Sequence, residues 1–87
     1  MPLSKSFHLY ILECADSTLY IGITTDLERR IREHNSSRRG AKYTSARRPV
    51  KLVYSKKFSN RSLALKAEYR LKKLTREEKL KLISRNI

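Results

Sequence analysis

Two tyrosines and a glycine lie in two neighbouring segments of alternating apolar character, and they are the first candidates for chemistry. Turn-forming residues between the segments predict a β-hairpin. If the turn is centred near Asp16, Tyr10 lies opposite Gly22, and Tyr20 lies diagonally from Tyr10 on the same face, about 7–8 Å away. Two phenols at that distance can flank one small group, and the glycine leaves room for close approach. Ordinary packing of two strand tyrosines is the alternative, which the spacing alone favours.

A second pair of candidates lies on a predicted helix. Arg30 and His34 are four residues apart, so they share a helix face that adjoins Leu27 and Ile31. A guanidinium held beside a sheet offers a planar fork for phosphate oxygens, and an imidazole can exchange a proton near neutral pH. A solvated face on a basic protein is the alternative for this pair.

Glu68 is the only acidic residue between positions 59 and 76, and it belongs to an apolar stripe. It follows Ala64 by four residues and precedes Leu71 by three, which places it on the core-facing side of a helix. A carboxylate there is costly unless it is paired or bound to a cation. A salt bridge to a buried arginine such as Arg30 and a single-carboxylate ligand for hydrated Mg²⁺ both satisfy this requirement.

Several other kinds of site are excluded by residue type. Two glycines, Gly22 and Gly40, cannot form a glycine-rich phosphate loop, and Cys14 is the single cysteine, so neither a disulfide nor a cysteine-based metal site can form. His8 and His34 are not at metal-ligand spacing, and the signatures of RNA-binding modules are missing. The pattern predicts an ordinary strand residue at His8.

Charge is the strongest signal of the composition. The chain has 87 residues and a net charge of +13, from 21 Lys and Arg against 8 Asp and Glu. Residues 1–28 contain one base and four acids, a net charge of −3, whereas residues 36–57 contain eight bases and no acid. A polyanionic partner is the natural explanation, and nucleic acid is favoured over a membrane because no long basic amphipathic helix is present. A highly soluble surface is the less specific alternative.

The length predicts one domain spanning residues 1–87. No apolar run is long enough for a membrane span or a signal peptide, and the cysteine usage suits a reducing cytoplasm.

The elements that must position these side chains follow from periodicity and caps. Strands are predicted over 7–14, 19–23 and 50–56, and helices over 26–35, over 60–73 and from the capping box at 75–78. Leu63, Leu74 and Leu80 are among the expected core positions of the last two helices. Residues 36–49 read as a basic loop with a short helical turn near Tyr43. The order β-β-α-β-α-α predicts an α+β domain with a small sheet covered by helices.

These residues together resemble the GIY-YIG nuclease superfamily, in particular its small stand-alone bacterial branch, the UPF0213 or YhbQ-like group. The resemblance covers nearly the whole chain, and Tyr20-Ile21-Gly22 matches the second tripeptide fully. The first tripeptide departs from the pattern, because His8-Leu9 replaces Gly-Ile and only Tyr10 is kept. The matching stretches are His8-Leu9-Tyr10, Leu19-Tyr20-Ile21-Gly22-Ile23-Thr24, residues 26–35 and residues 62–70.

The resemblance implies a three-stranded antiparallel sheet flanked by helices, with an active site on the sheet face. It also implies hydrolysis of DNA phosphodiester bonds with one divalent ion, Mg²⁺ or Mn²⁺, in DNA repair or processing. By position, the implied catalytic residues are Tyr10, Tyr20, Arg30, His34 and Glu68, with Glu68 as the metal ligand. Tyr43 lies where some relatives place a further site residue.

The roles follow as a hypothesis. The ion on Glu68 neutralises the scissile phosphate and the leaving oxygen, and Arg30 stabilises the charge on the equatorial oxygens. A tyrosinate-like group, Tyr10 or Tyr20, takes a proton from the attacking water; the ion and Arg30 are expected to favour the phenolate, assisted by His34. Bases of the loop track flanking phosphates without reading sequence; the residues expected to bind nucleic acid are Arg38, Arg39, Lys42, Arg47 and Arg48.

The length leaves no room for an added specificity domain, so specificity is expected from the basic loop, self-association or a protein partner. Two other functions stay open at this point. One is a nucleic-acid-binding module that has the nuclease fold with little or no activity. The other is an interaction protein whose basic surface docks an acidic partner.

Overall fold

The structure is a computed structural model that describes residues 6–36 and 47–85. Within these ranges the chain forms three strands and three helices in the predicted order. The strands are β1 (Phe7–Glu13), β2 (Leu19–Thr24) and β3 (Lys51–Phe58); the helices are α1 (Leu27–Ser36), α2 (Arg61–Lys72) and α3 (Arg76–Arg85). The predicted helical turn near Tyr43 lies outside the described residues. No helix in the described ranges combines the length and the apolar composition of a membrane span.

The strands form one antiparallel sheet in the order β2-β1-β3, as the predicted α+β architecture requires. The central strand β1 carries the continuous buried run from Leu9 to Leu12, because both of its faces are covered. The register shifts between Ile11 and Leu12, which gives β3 one extra residue at this point. Strand β3 runs two residues further than predicted, because its last residues still pair with the first residues of β1.

The two faces of the sheet pack against different helices. On the face that we call the back face, Leu9 and Ile11 pack against Leu71 of α2 and against apolar residues of α3. The predicted core positions Leu63 and Leu80 are wrong, because these side chains are 45% and 42% exposed.

The opposite side, which we call the front face, carries the candidate chemistry. Tyr10 and Leu12 are buried there with Val50, and the apolar stripe of α1, Leu27 and Ile31, packs against them. The helix α1 therefore packs on the front face, and its polar residues lie beside the tyrosines of the sheet.

Caps fix where the helices begin. The Asp26 carboxylate accepts a hydrogen bond from the backbone N–H of Arg29 at the start of α1, and the Asn60 side chain caps α2 through Leu63. The predicted capping box is present at α3, where Thr75 and Glu78 each accept from the other's backbone N–H. These contacts set the direction in which each helix leaves the sheet.

Candidate active site

The hairpin places Tyr10 directly over Gly22. The two residues are cross-strand partners, as the sequence predicts, and Tyr20 lies diagonally from Tyr10 as the partner of Leu12. The hydroxyl oxygen of Tyr10 lies 2.6 Å from the position that a β-carbon at residue 22 would occupy. The phenol therefore lies across the backbone of the neighbouring strand, and only a residue without a side chain leaves it that space.

Three rings converge on the front face. The ring centroids of Tyr10 and Tyr20 are 6.4 Å apart, and the imidazole of His34 lies 5.9 Å from the first and 5.0 Å from the second. The His34 ring meets both phenols edge to face, an arrangement that aromatic quadrupoles favour. The helix that carries His34 thus delivers an imidazole to the tyrosine pair.

Tyr10 and His34 share a hydrogen bond. The Tyr10 hydroxyl oxygen lies 3.1 Å from Nε2 of His34, and the same hydroxyl is hydrogen-bonded to the Arg30 side chain. A guanidinium can only donate, so the Tyr10 oxygen accepts from Arg30 and its proton is directed to Nε2. We assign the imidazole tautomer with unprotonated Nε2 on this network.

His34 is fully buried and electrically neutral near neutral pH. Burial is the main cause that lowers the pKa of His34; the positive charges of Arg30 and Arg48 act in the same direction and Glu33 opposes them, and the net result is a pKa of about 4. A neutral imidazole is the form that accepts a hydrogen bond from a phenol. The sequence placed His34 on the helix face that adjoins Leu27 and Ile31, and the structure buries it there completely.

Arg30 lies partly buried between an acid and a phenol. Its Nη1 donates to Oε1 of Glu33 at 3.0 Å, and its side chain also donates a hydrogen bond to the Tyr10 hydroxyl. Burial alone would lower the pKa of Arg30, but the hydrogen bonds to Glu33 and Tyr10 outweigh it and raise the pKa. The guanidinium is held as a fixed cation beside the Tyr10 hydroxyl.

Glu68 lies on the sheet-facing side of α2, with its side chain only 18% exposed. It forms an ion pair with Lys72 one turn later, Oε2 to Nζ 3.4 Å, and not with Arg30, whose acidic partner is Glu33. The charge of Glu68 acts on Tyr10 and raises the pKa of that phenol. The structure therefore brings the carboxylate within electrostatic reach of Tyr10.

Tyr10 is a neutral phenol in this environment. Burial raises its pKa, and the field of Tyr20 and of Glu68 acts in the same direction; the hydrogen bond and charge of Arg30 lower it without compensating. The expectation that Arg30 favours the phenolate is correct in sign, but burial outweighs it. Any proton that Tyr10 accepts must therefore be passed on.

Asn35 ties the end of α1 to the start of β3, a role that the sequence did not indicate. Its Nδ2 donates to the carbonyl oxygen of Val50 at 3.0 Å, and its Oδ1 accepts from the Val50 N–H at 2.7 Å. This pair of bonds imitates a strand-to-strand contact. It holds the last turn of α1, and with it His34, against the sheet.

Comparison with known proteins identifies the family. The sequence model of the GIY-YIG catalytic domain matches residues 6–81. The chain belongs to the GIY-YIG family. The sequence-derived resemblance is thus confirmed over nearly the whole length.

Relatives within the GIY-YIG family are close to this chain in sequence and structure. A UPF0213 protein of Syntrophus aciditrophicus is 52% identical over 84 residues, which cover 97% of this chain and 95% of the relative. The solution structure of a UPF0213 protein from Bacillus halodurans has 44% identity and a TM-score of 0.59, covering 91% of this chain and 83% of that one. A solution structure of a protein from E. faecalis has 42% identity and a TM-score of 0.64, with 99% and 92% coverage.

The basic residues expected to bind nucleic acid divide into two groups. Arg47 is in an ion pair with Asp16, Nε to Oδ2 3.0 Å, and Nε of Arg48 donates to the backbone carbonyl oxygen of His34. Both arginines thus also hold the hairpin turn and α1 in place. The other three, Arg38, Arg39 and Lys42, lie outside the described residues.

GIY-YIG nucleases typically use a divalent metal ion. Within the described residues no group of three or more His, Cys, Asp or Glu side chains could hold one. The donor set still fits Mg²⁺ or Mn²⁺, because such ions keep several waters and bind through one or two carboxylates together with substrate phosphates. Glu68, whose side chain is 18% exposed and whose charge acts on Tyr10, is a carboxylate of this kind.

Proposed function

We propose that this GIY-YIG domain is an endonuclease that hydrolyses DNA phosphodiester bonds, with a role in DNA repair or processing. The observation that carries the proposal is the Tyr10 hydroxyl, held between the cation of Arg30 and the neutral imidazole of His34. A phenol with a fixed cation on one side and a proton acceptor on the other is suited to a reaction that moves a proton and builds negative charge.

Arg30 supports the binding and the stabilisation of the phosphate. Its pKa is raised, so it stays charged, and it is anchored by Glu33 rather than mobile in solvent. A preorganised guanidinium stabilises the charge that develops on phosphate oxygens without needing to reorganise during the reaction. Arg30 therefore orients the scissile phosphate beside Tyr10.

A relay through Tyr10 supports the proton transfer. As the attacking water forms its bond to phosphorus, its proton passes to the Tyr10 oxygen, and the Tyr10 proton passes to Nε2 of His34. The bond from phosphorus to the leaving oxygen breaks as the new bond forms, and the leaving oxygen takes a proton from solvent. His34, whose low pKa disfavours the imidazolium, returns its proton to solvent. The relay requires no stable phenolate, which agrees with the raised pKa of Tyr10. Tyr20 borders the same space and orients the substrate against His34.

Glu68 is the residue that would hold a divalent ion in this site. When bound, such an ion supplies positive charge for the phosphate and for the leaving oxygen. The ion pair of Glu68 with Lys72 is loose, with 3.4 Å between Oε2 and Nζ and an exposed lysine, so Lys72 can be exchanged for a stronger cation.

The assay of this proposal separates cleavage from binding. Supercoiled, linear and branched DNA are incubated with the protein in Mg²⁺, Mn²⁺ or EDTA. We expect metal-dependent cleavage that falls by roughly 10²–10³-fold in Arg30→Ala. DNA affinity measured in EDTA should change much less, and Arg32→Ala, which removes an exposed arginine of the same helix, is the matched control.

Three results would contradict the endonuclease proposal. Equal cleavage by wild type and Arg30→Ala would trace the activity to a contaminant. Tight, strongly salt-dependent binding without cleavage of any substrate would identify a binding module that has the nuclease fold. A DNA affinity that does not change with salt would favour a protein partner for the basic surface.

A further inference from the structure

We propose that His8, Lys57 and Arg29 form a second phosphate subsite, which holds the phosphate next to the scissile one on the same strand of nucleic acid. The inference deepens the proposed function and rests on it for the position of the scissile phosphate. It assigns a ligand class to the front face: a continuous strand with at least two phosphates, rather than a single nucleotide.

The sheet places these side chains one row away from the candidate active site. His8 pairs with Thr24 on one side and with Lys57 on the other, whereas Tyr10 pairs with Gly22 and Ser55. His8 and Tyr10 are two residues apart on β1, so their rows share the front face. Two residues of a strand span about 7 Å, a separation close to that of successive phosphates along a nucleic-acid strand.

The first turn of α1 contributes to both rows. Arg30 contacts Tyr10, while its neighbour Arg29 borders a cavity of about 370 Å³ at the row of His8. The cavity is open to solvent and large enough for a phosphate group with its sugar. Its lining residues are Ser6, His8, Thr25, Asp26, Arg29 and Lys57.

The charges of this cavity favour an anion. Lys57 is exposed and forms no ion pair with any residue of the described ranges. Arg29 is 60% exposed and lies 3.9 Å from Glu33, a loose contact that leaves its donors available. The acid at the rim, Asp26, accepts the backbone N–H of Arg29 and is thereby turned toward the helix. The cavity is thus lined by two cations and an imidazole, and by one carboxylate that already accepts a hydrogen bond from α1.

The proposed reaction does not use His8, Lys57 or Arg29. Tyr10, Arg30 and His34 account for the proton relay and the scissile phosphate, while the row of His8 lies beyond them. Phosphate contacts of this kind fix the register of a strand and carry no sequence information. The subsite therefore positions the strand so that one chosen phosphate lies at Tyr10.

Adjacent lysines on β3 provide a matched pair of variants. Lys57 shares the front face with His8, whereas Lys56 pairs with Leu9 on the back face and lies over the ring of Phe58. Lys57→Gln and Lys56→Gln remove the same charge from consecutive exposed positions of one strand. Only the first removes a donor from the proposed subsite.

The experiment compares two minimal ligands in EDTA by protein NMR titration. The dinucleotide d(TpT) has one phosphate, and d(TpTpT) has two. For wild type and Lys56→Gln, we expect d(TpTpT) to bind roughly tenfold more tightly than d(TpT) at low salt, as one charge-assisted contact allows. Lys57→Gln should bring the two affinities close together, and d(TpTpT) should shift the backbone resonances of His8 and Lys57.

Two results would overturn the subsite. One is an equal loss of the affinity ratio in both lysine variants, which reflects net charge alone. The other is a d(TpTpT) titration that leaves His8 and Lys57 unperturbed. The titration needs no turnover, so it tests the subsite separately from the proposed function. If the protein does not cleave DNA but its affinity ratio still depends on Lys57, the proposed function is contradicted and the subsite is supported. If the protein cleaves DNA but the affinity ratio is unchanged in Lys57→Gln, the proposed function is supported and the subsite is contradicted.

Discussion

The hydroxyl oxygen of Tyr10 lies 2.6 Å from where a β-carbon at Gly22 would be, and the phenol carbon that bears it lies 2.8 Å from the same point. Both distances are shorter than any contact that a real side chain makes. The absence of a side chain at residue 22 is thus what allows the Tyr10 hydroxyl to occupy its position. This dependence links a backbone feature of β2 to the hydrogen bonds of Tyr10 with Arg30 and His34.

Gly22→Ala should therefore damage both folding and activity. The added methyl group forces the buried Tyr10 ring to move, and overpacking of this kind costs about 1–3 kcal/mol of unfolding free energy. The displaced hydroxyl loses its alignment with Nε2 of His34. Chemical denaturation and the cleavage assay measure the two effects separately.

A double-mutant cycle tests whether the phenol is the cause. In a Tyr10→Ala background the methyl group meets no ring, so Gly22→Ala should cost much less than in wild type. Additive costs in the two backgrounds would show that the strand itself, rather than Tyr10, requires the glycine.

The buried neutral imidazole of His34 predicts a pH dependence of stability. The pKa of His34 is about 4 in the folded state and about 6.5 in the unfolded chain. Between these values the unfolded state binds more protons, so stability falls as pH decreases from 6.5 toward 4. The total loss from this group is up to about 3 kcal/mol. Urea denaturation at intervals between pH 7.5 and 5 covers the part of the window in which carboxylates titrate little.

His34→Gln is the control for this pH dependence, because its amide oxygen can accept from Tyr10 but does not titrate. We expect the variant to lose most of the decline between pH 6.5 and 5. A decline of the same size in the variant would assign the effect to other groups.

Asn35 should contribute to stability out of proportion to its position at a helix end. Asn35→Ala removes both hydrogen bonds to Val50 and leaves the backbone groups of a buried residue unpaired, at a cost of about 2 kcal/mol. Ser36→Ala, which removes one exposed hydrogen bond to Arg32, should change stability by less than about 0.5 kcal/mol. Thermal or chemical denaturation of the two variants measures the difference. Similar losses for both would indicate fraying of the helix end rather than a specific link.

The sequence predicted the parts of the site that depend on local periodicity. Strand alternation and the turn at Asp16 were sufficient to place Tyr10 opposite Gly22, and helical spacing placed Arg30 and His34 together. Caps at Asp26, Asn60 and Thr75 marked the helix starts to within one residue. These features are encoded in neighbouring residues and need no knowledge of tertiary packing.

The remaining features depend on contacts between distant segments. Glu68 does not pair with Arg30, whose acidic partner is Glu33, three residues later on the same helix. The distance between Glu68 and Arg30 depends on how two helices pack, so it could not be predicted from the spacing within either helix. Leu63 and Leu80 are exposed, because the side of each helix that packs on the sheet is set by tertiary contacts and not by helical periodicity alone. The link from Asn35 to Val50 joins residues 15 positions apart and has no sequence signature.

The most direct measurement of the proposed site is the single-turnover rate of DNA nicking by Glu68→Gln over a range of Mn²⁺ concentrations, with protein in excess. Glu77→Gln, at an exposed position of α3, is the matched control. The proposal predicts that Glu68→Gln loses roughly 10²-fold or more in rate, with part of the loss restored by high Mn²⁺, while Glu77→Gln cuts as wild type does. Nicking by Glu68→Gln at the wild-type rate and with the same Mn²⁺ dependence would contradict it.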